Sequence, residues 1–157
     1  MMPSSSPAAE LGAETAAMRA LLDVLEREQA CLSAGDADGC AALLEEKARQ
    51  VAALAGLAAE RHRRLASLGF SSDEKGMTDW LRTAAEPDTA AWAELMSFTT
   101  AAHECNRVNG LLLSQLAVRN RQALDALGQR AADAGAGLYG PGGQADFTTP
   151  RGARVIG

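Results

Sequence analysis

The sequence predicts an all-α fold: an elongated antiparallel three-helix bundle, close to a coiled coil, with a short connecting helix and a flexible glycine-rich C-terminal tail. Three observations carry this reading. Ala, Leu, Glu, Arg and Gln dominate the middle of the 157-residue chain and only 4% of residues are aromatic, a composition that favours helices over sheets. Three segments place apolar residues at alternating steps of three and four, the spacing of one helix face. The first two segments are joined by only a few residues, which makes them an antiparallel hairpin. The length suits one domain with a modest core.

In chain order, residues 1–9 read as disordered, since Pro3, Pro7 and three serines flank nothing apolar. The bundle is expected over 10–134, with helices near 10–33, 36–68, 76–85 and 89–134. The first helix carries Leu11, Thr15, Met18, Leu22, Leu25, Gln29 and Leu32 on one stripe, and Ser33 to Gly35 end it. Asp36 is placed to cap the second helix. That helix continues the alternation through Cys40, Leu44, Lys47, Val51, Leu54, Ala58, Arg61, Leu65 and Leu68, where only Lys47 and Arg61 are not apolar. Gly69 sits just past its end. "GFSSDEKG" reads as a loop, and "MTDWLRTAAE" as a short helix that docks Met77, Trp80 and Leu81 on the hairpin. Pro87 punctuates, and Asp88 or Thr89 can cap the last helix.

The last helix has no breaker except Gly110 and Gly128, so it should run for about 45 residues, roughly 65–70 Å. Its seam is Trp92, Leu95, Thr99, Ala102, Asn106, Asn109, Leu113, Leu116, Asn120, Ala123 and Leu127. The tail, residues 135–157, has no period, yet Leu138, Tyr139, Phe147, Val155 and Ile156 stand in it as isolated apolar anchors.

Several functions are disfavoured. A net charge of −5 argues against a general nucleic-acid binder, because phosphate binding needs a basic footprint. The run Arg61-His62-Arg63-Arg64 reads as the basic end of a helix complementing its dipole. Cys31, Cys40 and Cys105 are too few for a disulfide framework and sit at apolar helical positions. No signal peptide and no membrane-spanning run is visible, so a cytoplasmic protein without membrane insertion is expected. His103-Glu104-Cys105 points its side chains to different sides of a helix and cannot assemble a metal site alone. "YGPGGQ" lacks the strand and helix that a phosphate cradle needs. No catalytic residues, metal or cofactor are implied, and no enzyme.

The stretch "HECNRVNGLLLSQLAVRN" is the informative one. Val108, Leu111, Leu112, Leu113, Leu116 and Val118 cover an arc of roughly 220° on a helix. A surface helix normally buries a stripe of little more than about 100°. The surplus calls for a second partner: another helix of this chain, a second copy, or a different protein. Asn106, Asn109 and Asn120 fall on the seam, where a buried amide costs stability but fixes register. Gly110 costs about 1 kcal/mol relative to Ala and permits close backbone approach. Two readings remain, a helix that receives a helix of another protein, compatible with a weak homodimer, and a self-associating coiled-coil structural or adaptor protein in which the arc is the homodimer seam.

Several stretches in the right order resemble the FlgN family, the export chaperones of the bacterial flagellar type III secretion system. "LLDVLEREQACLSAGD" followed by "LLEEKARQVAAL" is similar to the family's first hairpin, and "SLGF" with "GMTDWL" to its connecting region. "NRVNGLLLSQLAVRNRQALDAL" resembles its asparagine-rich long helix, and "LYGPGGQ" its tail motif. The resemblance implies a helical, non-catalytic cytoplasmic chaperone. Its clients would be the C-terminal helical segments of the hook–filament junction proteins FlgK and FlgL, which it keeps unassembled and delivers to the export gate, the cytosolic domain of FlhA. Carried over by motif, the substrate groove would use Asn106, Asn109, Leu112, Leu113, Leu116, Asn120, Ala123, Leu124 and Leu127. Gate docking would use Tyr139, flanked by Leu138, Gly140 and Gln144.

Overall fold

A computed structural model describes residues 6–138. It has four helices, α1 (Leu11–Ala34), α2 (Ala37–Ser67), α3 (Glu74–Leu81) and α4 (Glu86–Leu138), and no strand among the described residues. The chain divides into two units, Met1–Leu116 and Ala117–Gly157.

Of residues 1–9, expected to be disordered, 1–5 lie outside the described residues and 6–9 form a turn. Ser6 accepts from the Ala8 N–H through its hydroxyl at 3.1 Å and from the Ala9 N–H through its carbonyl at 2.9 Å. Pro7 is buried and Ala8 lies against the core. A serine hydroxyl that closes a local turn and an apolar ring with a surface to cover are enough to order residues 6–9.

Helix α1 ends as its sequence predicts. Gly35 adopts a left-handed conformation (φ 67°), and the N–H groups of Gly35 and Asp36 bond the Leu32 and Cys31 carbonyls. Asp36 then caps α2 by accepting from the Gly39 N–H at 2.9 Å. Helix α3 starts earlier than its apolar pattern suggested, because Asp73 accepts from the Gly76 N–H at 2.8 Å and so nucleates the first turn. Only glycine fits at Gly76, since a Cβ there would run into the Ser71 carbonyl oxygen. Helix α4 also starts early, at Glu86, with Pro87 inside its first turn. Proline is tolerated there because a first-turn N–H has no helical acceptor.

One core joins all four helices. Leu11, Leu65, Met77 and Leu95, one from each, meet with every side chain at most 2% exposed. Burial of such side chains stabilises by about 1.5–3 kcal/mol each. Met18, Phe70, Trp80, Leu81 and Trp92 pack around them, so α3 docks through the three residues its sequence nominated. Further along, Val24, Leu25, Leu32, Leu43 and Ala102 continue the buried seam.

Helix directions follow from who meets whom. Arg19 pairs with Glu94, whereas Leu25 and Glu28 meet Asn109, so α1 and α4 run in the same sense. Arg61 pairs with Glu14 and Lys47 with Glu28, so α2 runs against α1.

Arg61 is not part of a solvated basic helix end. It is buried, donates to both carboxylate oxygens of Glu14 at 3.0 and 3.4 Å and to Glu74 at 3.2 Å, and lies 4.7 Å from the centroid of the Trp92 ring. Thus one guanidinium ties residues from all four helices. Arg64 is likewise engaged, with Glu10 and Glu60.

The second unit contains the helical residues Ala117–Leu138. Residues 135–138, assigned to the tail by their glycines, continue the helix. Each added helical residue fixes two dihedrals for one hydrogen bond, and Ala134 and Ala136 favour the helix enough to carry Gly135 and Gly137 along. The rest of the expected tail, including Tyr139, Gly140 and Gln144, lies outside the described residues.

Candidate functional site

The three seam asparagines, equivalent by spacing, occupy three different environments. Asn109 is 4% exposed. Its Nδ2 donates to the Leu25 carbonyl at 2.9 Å and to Glu28 Oε2 at 2.8 Å. Lys47 donates to both Glu28 oxygens, at 3.2 and 3.1 Å, and reaches Asn106 Oδ1 at 3.5 Å. Asn109 Oδ1 is buried without a partner among the described residues. This node of α1, α2 and α4 favours the observed register, because a displaced Asn109 would lose both of its acceptors. Asn109 is therefore a bundle residue in this conformation, not part of an exposed groove. Asn106 is exposed at the bundle edge.

The leucines separate in the same way. Val108, Leu112 and Leu116 are half-buried, while Leu111 and Leu113 are 53% and 60% exposed. The wide arc read from the sequence thus has an inner part that packs in the bundle and an outer part that nothing covers. Gly110 faces open space, with nothing among the described residues within 4 Å of where a Cβ would stand.

In the second unit every described side chain of Ala117–Gly137 is exposed, including Asn120, Ala123, Leu124 and Leu127. Leu124 and Leu127 are 69% and 60% exposed and Val118 55%. At about 100° per residue, Asn120, Ala123, Leu124, Leu127, Ala131 and Ala134 fall within an arc of roughly 100°. That is the width of a face that a helix normally buries. Asp125 and Asp133 lie outside it.

A cleft of about 370 Å³ in the first unit is walled by Met18, Leu54, Ala58, Leu95, Met96 and Thr99. Its charged residues, Glu14, Arg61 and Glu74, bond one another. Among the described residues no group of three His, Cys, Asp or Glu side chains could hold a metal ion. The cysteines are free and half-buried. Burial, with Cys31 adding to it, pushes the Cys40 thiol up, and burial does the same to Cys105, so both stay protonated at neutral pH. No helix among the described residues is long and apolar enough to cross a membrane.

Sequence reading missed the inward role of Arg61. The available signal was its position within the apolar C-terminal part of the α2 stripe, three residues after Ala58 and four before Leu65. Nor did it distinguish Asn109 from Asn106, since only the position of Leu25 and Glu28 decides which amide is buried.

A family model described as "FlgN protein" matches residues 2–146, nearly the whole chain. Neither a curated protein nor a solved structure matches the chain. The ordered motifs of the sequence, the helical bundle and the family match agree. The chain belongs to the FlgN family, a family of flagellar export chaperones rather than enzymes.

Proposed function

We propose that the protein binds the C-terminal helical segments of the hook–filament junction proteins FlgK and FlgL in the cytoplasm, holds them apart until export, and hands them to the flagellar export gate. The observation that carries this reading is the uncovered apolar face of Asn120, Ala123, Leu124 and Leu127. An apolar helical stripe left in water is the counterpart of an amphipathic client helix, which would otherwise assemble early through its own apolar face. Leu112, Leu113 and Leu116 are candidate contacts in the first unit, with Leu113 the most exposed of them. Export requires release, and a face built from two leucines, alanines and an amide favours moderate affinity.

Gate docking is assigned to Tyr139 with Leu138, Gly140 and Gln144, on the strength of the "LYGPGGQ" motif. FlhA would be the receiving component.

Pull-down of the C-terminal segments of FlgK and FlgL by the full chain tests the first assignment. Leu124→Asp together with Leu127→Asp should abolish capture while circular dichroism stays helical. Undiminished capture by a folded double variant would mean that the client lies elsewhere. Tyr139→Ala should spare capture and weaken FlhA binding; loss of both would place Tyr139 in the client site instead.

A further inference from the structure

The apolar face of the second unit has a charged border that the client reading does not use. With Leu127 at the centre of the face, Arg119 and Arg130 project about 60–80° to one side, and Arg121 about 120° to the other. Asp125 and Asp133 fall toward the back, about 160° and 120° from the centre. Arg119 and Arg130 are three turns apart, about 16 Å along one edge of the face. Both are exposed, and among the described residues Arg119, Arg121 and Arg130 form no ion pair. In the first unit Arg19, Arg27, Arg61, Arg63, Arg64, Arg82 and Arg107 each meet a carboxylate, and among its described arginines Arg49 alone does not. Cations left unpaired beside an uncovered apolar face, in a chain of net charge −5, are complementary to an acidic partner.

We infer that the helix docked on this face is amphipathic with an acidic border, its carboxylates spaced to meet Arg119 and Arg130. This rests on the client reading above and adds the partner's charge pattern to it. A second copy of the chain fits less well. An antiparallel copy centred between Leu124 and Asp125 would set Arg119 of one chain against Arg130 of the other, like charges at the edge of an apolar contact. Arginine also suits the role physically, because its planar fork binds a carboxylate through two parallel hydrogen bonds.

The test uses the full chain and two synthetic helical peptides of four heptads, with leucine at the seam and either glutamate or lysine at both flanking positions. Fluorescence anisotropy measures binding at low and at high salt. The acidic peptide should bind about tenfold more tightly than the basic one at low salt, and the gap should narrow as salt screens it. Arg119→Glu with Arg130→Glu should reverse the preference without loss of helicity. Equal affinity for the two peptides, or a preference that survives the double reversal, overturns the acidic border while leaving helix docking intact. Failure of both peptides to bind, with capture of FlgK and FlgL segments also unaffected by Leu124→Asp and Leu127→Asp, overturns both. A chain that sediments as a dimer dispersed by Leu124→Asp, and that binds neither peptide, makes the occupant a second copy and overturns the inference as well.

Discussion

Arg61→Ala is the change from which the bundle should suffer most. The Arg61 and Glu14 side chains are each 4% exposed, whereas Glu74, the other carboxylate on Arg61, is 61% exposed. Removing the guanidinium therefore leaves Glu74 to water but strands Glu14 as a buried charge. Breaking a buried pair on one side costs about 3–5 kcal/mol. The lost contact with the Trp92 ring adds about 0.5–2 kcal/mol. Arg61→Met combined with Glu14→Leu removes both charges and keeps the volume, so it should sit near the parent or above it, as buried pairs replaced by apolar side chains often do. Urea unfolding followed by circular dichroism measures Arg61→Ala beside a cycle of Arg61→Met, Glu14→Leu and their combination. An Arg61→Ala variant within about 1 kcal/mol of the parent would overturn this assignment of the cost to a buried charge, because a pair so easily broken is exposed and ordinary. A double variant as unstable as the single would refute it too, by moving the cost from charge to packing.

Three further outcomes are expected. Asn109→Asp sets a second carboxylate against Glu28 in a buried site and should cost about 2 kcal/mol or more, whereas Asn109→Leu, which also removes the orphaned Oδ1, should stay within about 1 kcal/mol of the parent; the same urea assay decides. Gly76→Ala should destabilise by about 1–3 kcal/mol and release α3, read as greater hydrogen exchange in Glu74–Leu81, because its Cβ meets the Ser71 carbonyl. The hydrogen bond from the Gly76 N–H, followed by one from Ser71, holds the Asp73 carboxyl below its usual range. Its cap is then fully present above the unfolded value of about 4 and is lost as pH falls through the lower folded value. An NMR titration of the Gly76 amide should show that lower midpoint, and a midpoint at or above about 4 would show that the cap is absent in solution.

Periodicity exposed the class of fold because helix seams repeat locally: Leu11, Leu25, Leu65 and Leu95 are read from spacing alone and all are buried. Caps at Asp36 and the glycine at Gly35 are equally local. What spacing could not supply was contact between segments distant in sequence. Arg61 on an apolar stripe is ambiguous until Glu14 and Trp92 stand beside it. Asn106 and Asn109 look alike until Leu25 and Glu28 choose one of them. Helix starts at Glu74 and Glu86 were set by a cap and by a tolerated proline, neither of which contributes to an apolar count. The width of the apolar arc was legible as a number, and its division into half-buried Leu112 and open Leu113 was not.

Hydrogen exchange of the full chain with and without the FlgK C-terminal segment tests the central assignment most directly. Amides of Asn120–Ala134 should gain protection on binding, while Leu11–Ala34 and Ala37–Ser67, already closed by Leu25, Leu65 and the Arg61 network, should change little. Protection confined to α1 and α2, with Asn120–Ala134 exchanging as before, would contradict it.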